Sequence, residues 1–147
     1  MTGQVNYLVE APKLGQEYYC LFVMKGPYYA LFKWRGTDSE KKWLVIHRVY
    51  PTEPDIQRAA EFLNNFLISH KEQLNYLTSE PEPGTEVWYD MNMGGKQFDT
   101  ESINFDPKDD SHQKLFKNVY FFRTREDLKK AINLITEALE EEYKKAH

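Results

Sequence analysis

At 147 residues the chain has the length of one domain, with 41% hydrophobic and 29% charged residues and a formal net charge of −4. A chain this long buries roughly two-thirds of its unfolded surface, so its core needs no covalent staples. The single cysteine, Cys20, excludes an internal disulfide. No segment reaches the roughly twenty apolar residues that span a bilayer, no basic and apolar leader opens the chain, and no Asn-x-Ser/Thr acceptor occurs. The expectation is a single soluble, cytoplasmic domain over residues 1–147 with no membrane partner.

Three aromatic runs come first in chain order: 18–24 (Tyr-Tyr-Cys-Leu-Phe-Val-Met), 28–34 (Tyr-Tyr-Ala-Leu-Phe-Lys-Trp) and 43–50 (Trp-Leu-Val-Ile-His-Arg-Val-Tyr). Runs this rich in aromatic and apolar residues, joined only by the short links 25–27 and 35–42, predict a meander of three antiparallel strands. Cys20 falls inside the first run and reads as a small buried hydrophobe. Pro51 stops the third run, and Thr52 with Asp55 three residues on forms a capping pair. Ile56, Ala59, Ala60, Leu63, Phe66, Leu67, His70, Leu74 and Leu77 then recur at spacings of three and four, predicting one long amphipathic helix to Leu77. The proline-rich connector 78–85 ends it.

The second half, 86–147, repeats the plan. Residues 86–91 read as a strand, Gly94-Gly95 as a hairpin turn and 96–100 as the returning strand. A polar stretch follows from Glu101 to Lys117. Val119 to Arg123 reads as a last strand, Thr124-x-x-Asp127 as a second helix start, and Leu128, Ala131, Ile132, Ile135, Ala138, Leu139 and Tyr143 as one face of the closing helix. The fold class expected is α+β, a curved antiparallel sheet with strands then helix twice over, and two long amphipathic helices on one face. The halves share no recognisable sequence identity.

Two helices on one face leave the other face of the sheet open, with aromatics and cations on it. It could be covered by 101–117, associate with a second copy as a homodimer, or bind a ligand. Charge is lopsided along the chain: Lys25 to Arg48 holds six cations against two acids, and Glu72 to Asp110 ten acids against two cations. Fields of opposite sign can steer charged partners or cancel each other within the fold.

Catalytic signatures are absent from the sequence. No Gly-x-Ser-x-Gly elbow surrounds any serine, and Gly94-Gly95-Lys96 lacks the spacing of a phosphate loop. His47 and His70 fall among apolar neighbours and read as core histidines. His112 follows Asp106, Asp109 and Asp110, a grouping that could attract a hard cation, but without EF-hand spacing it reads as a solvated loop. No catalytic residue, cofactor or metal ligand is assigned.

The leading expectation is a non-enzymatic macromolecule-binding protein, of the inhibitor or immunity type, engaging a basic protein partner. Its surface would comprise Trp34, Trp43, Trp88, Tyr89, Glu101, Asp106, Asp109 and Asp110, since aromatic residues dominate interface hot spots. The alternative is a nucleic-acid or nucleotide-binding sheet in which aromatics stack on bases and Lys33, Arg35, Lys41, Lys42 and Arg48 meet phosphates, though the acidic balance of the chain argues against a general nucleic-acid binder. A third reading is a small metal-assisted hydrolase built on Asp90, Asp99, Glu101 or His112.

Overall fold

The computed structural model describes residues 10–25, 28–90 and 100–146. Its elements in chain order are β1 (Glu17–Phe22), β2 (Tyr28–Lys33), α1 (Asp38–Val45), β3 (Val49–Tyr50), α2 (Glu53–Ser69), α3 (Lys71–Leu74), β4 (Glu86–Tyr89), β5 (Glu101–Asn104), α4 (Asp110–Asn118) and α5 (Arg125–Ala146). The class is α+β with antiparallel pairing throughout. One sheet has the order β2-β1-β3, and a second pairs β4 with β5.

The expected third strand is the main departure. Residues 38–45 form a helix, and only Val49–Tyr50 pairs with β1, on the edge opposite β2. The reason lies in the polar link before the apolar run. Gly36 turns at φ 74°, a conformation that suits glycine, and Thr37 then caps the helix by accepting from the Glu40 amide while the Glu40 side chain returns to the Thr37 amide. This reciprocal box starts a helix where apolar periodicity alone reads as a strand.

Alternation along β1 then sorts the core. Tyr19 and Leu21 point to the side covered by α2 and α5, where they join Tyr50, Ile56, Leu63, Leu67, Leu128, Ile135 and Leu139. Tyr18, Cys20 and Phe22 point to the opposite side, where Trp34 and Val49 join them under Trp43 and Leu44 of α1. The second face of the sheet is therefore covered by α1. The stretch 101–117 does not cover it: that stretch supplies β5 and α4 to a separate cluster of Val87, Tyr89, Phe105, Val119 and Phe121, with Leu115 and Phe116 packed on it.

Other boundaries shift for local reasons. The helix expected to reach Leu77 breaks at His70, whose ring lies on Phe66 at 4.2 Å between centroids, and the apolar stripe continues through α3 with Leu74 fully buried. The Gly94-Gly95 turn and residues 96–99 of the expected returning strand lie outside the described residues, and Glu101–Asn104 is the described segment that pairs with β4. The expected strand at Val119 to Arg123 is reduced to one bridge, in which Trp88 and Phe122 exchange backbone bonds of 2.7 and 2.8 Å. Both Thr-x-x-Asp helix starts are present: the Asp55 amide donates to Thr52 Oγ1 at 3.3 Å and the Asp127 amide to Thr124 Oγ1 at 3.0 Å.

The two halves share one plan more closely than their sequences suggest. Each runs as a hairpin, a short helix, a segment returning to the outer edge of the first hairpin strand, and a long helix. From the short helix onward the correspondence holds at a constant separation of 72 residues. It relates the caps Thr37 and Asp109, the returning residues Tyr50 and Phe122, and the caps Thr52 and Thr124. It also relates buried Ile56, Ala59, Leu63 and Leu67 to buried Leu128, Ala131, Ile135 and Leu139. In each half the short helix covers the sheet face turned away from the shared core of α2 and α5.

Asn75 closes α3 at φ 61°, and its side chain is exposed. A β-carbon without a polar group is disfavoured there by about 1 kcal/mol or slightly more. Asn75→Ala should lower unfolding free energy by about that amount in urea titration, and Asn75→Gly should stay within about 0.5 kcal/mol of the parent.

Candidate functional site

The α1 and β2 elements enclose a hollow lined by both aromatic and charged residues. Tyr18, Phe32 and Trp43 form its walls, buried Glu40 its floor, and exposed Thr37 and Arg35 its rim, with Lys33 beside it at the end of β2, around about 290 Å³. Trp43 meets Phe22 edge-on at 6.0 Å and Phe32 at 5.8 Å, and Tyr18 stacks on Phe32 at 5.9 Å, so the aromatic walls brace one another. Lys33 and Arg35 are exposed, as are Lys41 and Lys42 on the outer surface of α1.

Glu40 holds the floor. It is buried, and its Oε2 accepts from the Tyr18 hydroxyl at 2.6 Å. Its Oε1 accepts from the Arg35 amide, the Thr37 amide and the Thr37 hydroxyl, each at 3.0 Å. Burial raises the carboxyl's pKa, but the bonds from Tyr18, Thr37 and Arg35 outweigh it and hold the group below the usual range, ionised. Burial and then the Glu40 carboxylate push the Tyr18 phenol well above its ordinary value, so Tyr18 remains a donor. An anionic ligand would thus meet charge of its own sign at the floor and its complement at the rim.

The residues expected to form a partner surface fall into two groups, Trp34 and Trp43 beside α1, and Trp88, Tyr89, Glu101, Asp106, Asp109 and Asp110 on β4, β5 and the start of α4. Trp34 is 4% exposed and Tyr89 7%, because the first faces α1 and the second lies in the β4/β5 cluster. Trp43 and Trp88 are half-buried and belong to different clusters. Glu101 is exposed and accepts from the Tyr89 hydroxyl at 2.8 Å. Asp106 takes the Lys108 amide at 2.9 Å, and Asp109 caps α4 by taking the Ser111 amide at 2.9 Å and hydroxyl at 2.6 Å. Those bonds and nearby His112 hold the Asp109 carboxyl below its usual range. Asp110 is exposed in the first turn of α4.

Arg48 corrects the expected cation set. It is 1% exposed, since the positive-φ turn at His47 (φ 62°) sends it into the interior, with its amide donating to Trp43 O at 2.9 Å. Burial depresses its pKa, and Cys20, Tyr50 and Asp90 act in the other direction. Asp90, one of the carboxylates considered for hydrolysis, is buried too, while Asp99 lies outside the described residues.

The described histidines, His47, His70 and His112, make structural contacts. His47 stacks on Tyr143 at 4.2 Å and its Nε2 meets the Glu140 carboxylate, fastening the end of α1 to α5. His112 Nδ1 accepts from the Asp106 amide at 2.9 Å, which commits that nitrogen to a local turn. Among the described residues no three His, Cys, Asp or Glu side chains gather as a metal set, and no helix is long and apolar enough to cross a membrane.

Sequence reasoning missed a second hollow of about 480 Å³, lined by Leu77, Ser79, Glu80, Pro81, Glu82, Thr85, Glu86 and Arg123. The connector's alternating Glu and Pro was its only signal. No family model, curated protein or solved structure matches the chain.

Cys20 is buried, and desolvation pushes its thiol up to about 12, with Arg48 opposing and Glu40 adding to the rise. A thiol whose folded pKa exceeds the unfolded one stabilises the fold fully below the unfolded value of about 8.5 and loses that contribution as pH climbs toward the folded value. Unfolding free energy should therefore fall from about pH 9 upward. Native protein at pH 8 should be inert to iodoacetamide and react at once in denaturant. Rapid alkylation of the native state would contradict the buried site.

Proposed function

We propose that the protein is a non-enzymatic binding module whose ligand surface is the recess between β2 and α1, and that its ligand is a single-stranded nucleic acid or nucleotide. The observation that carries the reading is the pairing of half-buried Phe32 and Trp43 with exposed Arg35 in one hollow, beside the exposed Lys33 of the same strand end. Aromatic side chains accept any base by stacking, and a cationic rim tracks the phosphates. Lys41 and Lys42 extend the positive surface along α1. Glu40 at the floor favours a ligand whose phosphates stay at the rim, which suits a base laid against the outer faces of Phe32 and Trp43.

A second reading rests on the larger hollow. Exposed Glu80, Glu82 and Glu86 beside the exposed connector suit a basic protein segment, the partner class of an inhibitor or immunity-type antagonist. There the acidic side chains of the second half would supply the docking field, and Asp106 and Asp110 would steer association. The recess is favoured because it joins aromatic and charged groups, whereas the acidic hollow offers charge without an aromatic anchor.

Titration with a short oligothymidylate at low salt should quench Trp43 fluorescence, with Trp43→Phe removing the signal change and Lys33→Ala/Arg35→Ala weakening binding about tenfold or more. If Lys33, Arg35, Lys41 and Lys42 each meet a phosphate, log affinity should fall with log salt at a slope of about −3. No quenching at low salt, or affinity unchanged in the charge variants, would overturn the reading. Binding of a basic peptide that depends on Glu80, Glu82 and Glu86 would favour the second.

A further inference from the structure

The antiparallel pairing fixes which backbone groups of β2 face outward. The Trp34 amide donates to Gln16 O at 2.9 Å, and the Leu21 amide donates across the other edge of β1 to Arg48 O at 2.8 Å. Bonding alternates along an antiparallel strand, so even-numbered residues of β2 bond to β1. Tyr29, Leu31 and Lys33 turn their N–H and C=O groups away from the sheet. Among the described residues β2 ends that sheet, and Leu31 is 50% exposed.

Edge strands of this kind are templates for pairing unless charge, proline or a bulge blunts them. The protein carries its own comparison. β5 holds the corresponding edge of the second hairpin with Glu101, Ser102 and Asn104 exposed, whereas β2 offers Tyr29-Ala30-Leu31-Phe32 with charge only at Lys33. The same plan is protected in one half and left apolar in the other.

We propose that β2 pairs with β2 of a second copy, antiparallel about a two-fold axis at Leu31, to form a homodimer with a continuous six-stranded sheet. The strand is self-complementary in this register. Leu31 faces Leu31 of the second copy, Tyr29 faces Lys33, and on the other face Ala30 faces Phe32, small against large. No like charges oppose each other, and Lys33 approaches Tyr29, whose hydroxyl neighbours Gln57 and, one turn away, Glu53.

The helices leave room for this pairing. Helix α2 packs over β1 with β2 and β3 on either side. Three strand spacings would then separate the two α2 helices by about 14 Å, against the 8–10 Å of packed helices. The groove so formed is where the two Leu31 side chains would lie. Because the two-fold axis is perpendicular to the sheet, both β2/α1 recesses would fall on the same side. The dimer does not depend on the ligand proposed above, and its test uses none.

Sedimentation equilibrium of the full chain should show a dimer that dissociates on dilution below about micromolar concentration. Leu31→Lys should be monomeric where the parent is dimeric, with a melting temperature that matches the parent's at dilutions where the parent is monomeric, because the side chain is half in solvent. In a Cys20→Ser background, Leu31→Cys should oxidise to a linked dimer, since hydrogen-bonded antiparallel partners sit about 5.5 Å apart, within disulfide reach. Val45→Cys, at an exposed position on α1, is the control and should link far more slowly. A parent chain that stays monomeric at about 100 µM would overturn the proposal. So would a dimer that survives Leu31→Lys while the Leu31→Cys variant links no faster than the Val45→Cys control.

Discussion

A strand with apolar side chains on both faces must be covered twice, and that constraint organises this molecule. Along β1, Tyr19 and Leu21 demand one cover and Tyr18, Cys20 and Phe22 another. The long helices supply the first. The second depends on α1, whose position is fixed by one buried carboxylate. Glu40 closes the capping box of its own helix and at the same time takes the Tyr18 hydroxyl from the middle of the sheet. Local helix formation and tertiary docking therefore share a single group. An ionised carboxylate this well supplied with donors is stabilising where it sits and costly to leave without them.

The second half meets the same constraint with weaker chemistry. Asp109 caps α4 as Thr37 caps α1, and Leu115 and Phe116 cover Val87, Tyr89 and Phe121 as Trp43 and Leu44 cover Tyr18 and Cys20. Lys25 joins the halves from below. Its amide donates to Asn118 O at 3.0 Å, and its ammonium reaches Phe116 O at the C-terminal end of α4 while lying 3.8 Å from the Phe116 ring centroid. A cation at that helix end also meets the negative end of the helix dipole. Two sheets, each with its own short helix, thus enclose a common core of α2 and α5.

What was legible in the sequence was periodic or locally capped. The amphipathic stripes of α2 and α5 and their Thr-x-x-Asp starts follow from spacing alone, as does the β1/β2 hairpin. The run Trp43-Leu44-Val45-Ile46 was ambiguous, because a short apolar run fits a strand or a buried helix equally well. The capping box at Thr37 and Glu40 was present in the sequence and would have settled it in favour of helix. Its long-range partner, Tyr18, was not readable from spacing. The same error misplaced Arg48, which as a strand residue would face solvent and as the residue after a positive-φ turn is buried. In the polar stretch after Glu101, β5 spans only four residues and α4 has no fully buried side chain, so neither leaves a strong pattern.

The central claim is that Glu40 docks α1 on the sheet through Tyr18, and a double-mutant cycle tests it directly. Tyr18→Phe, Glu40→Gln and the double variant would be compared by urea unfolding. The account predicts a coupling of about 1.5–3 kcal/mol, as for a hydrogen bond to a buried charge, with Glu40→Gln the more damaging single change. A coupling indistinguishable from zero, with both single variants near the parent, would mean that α1 is held by something else.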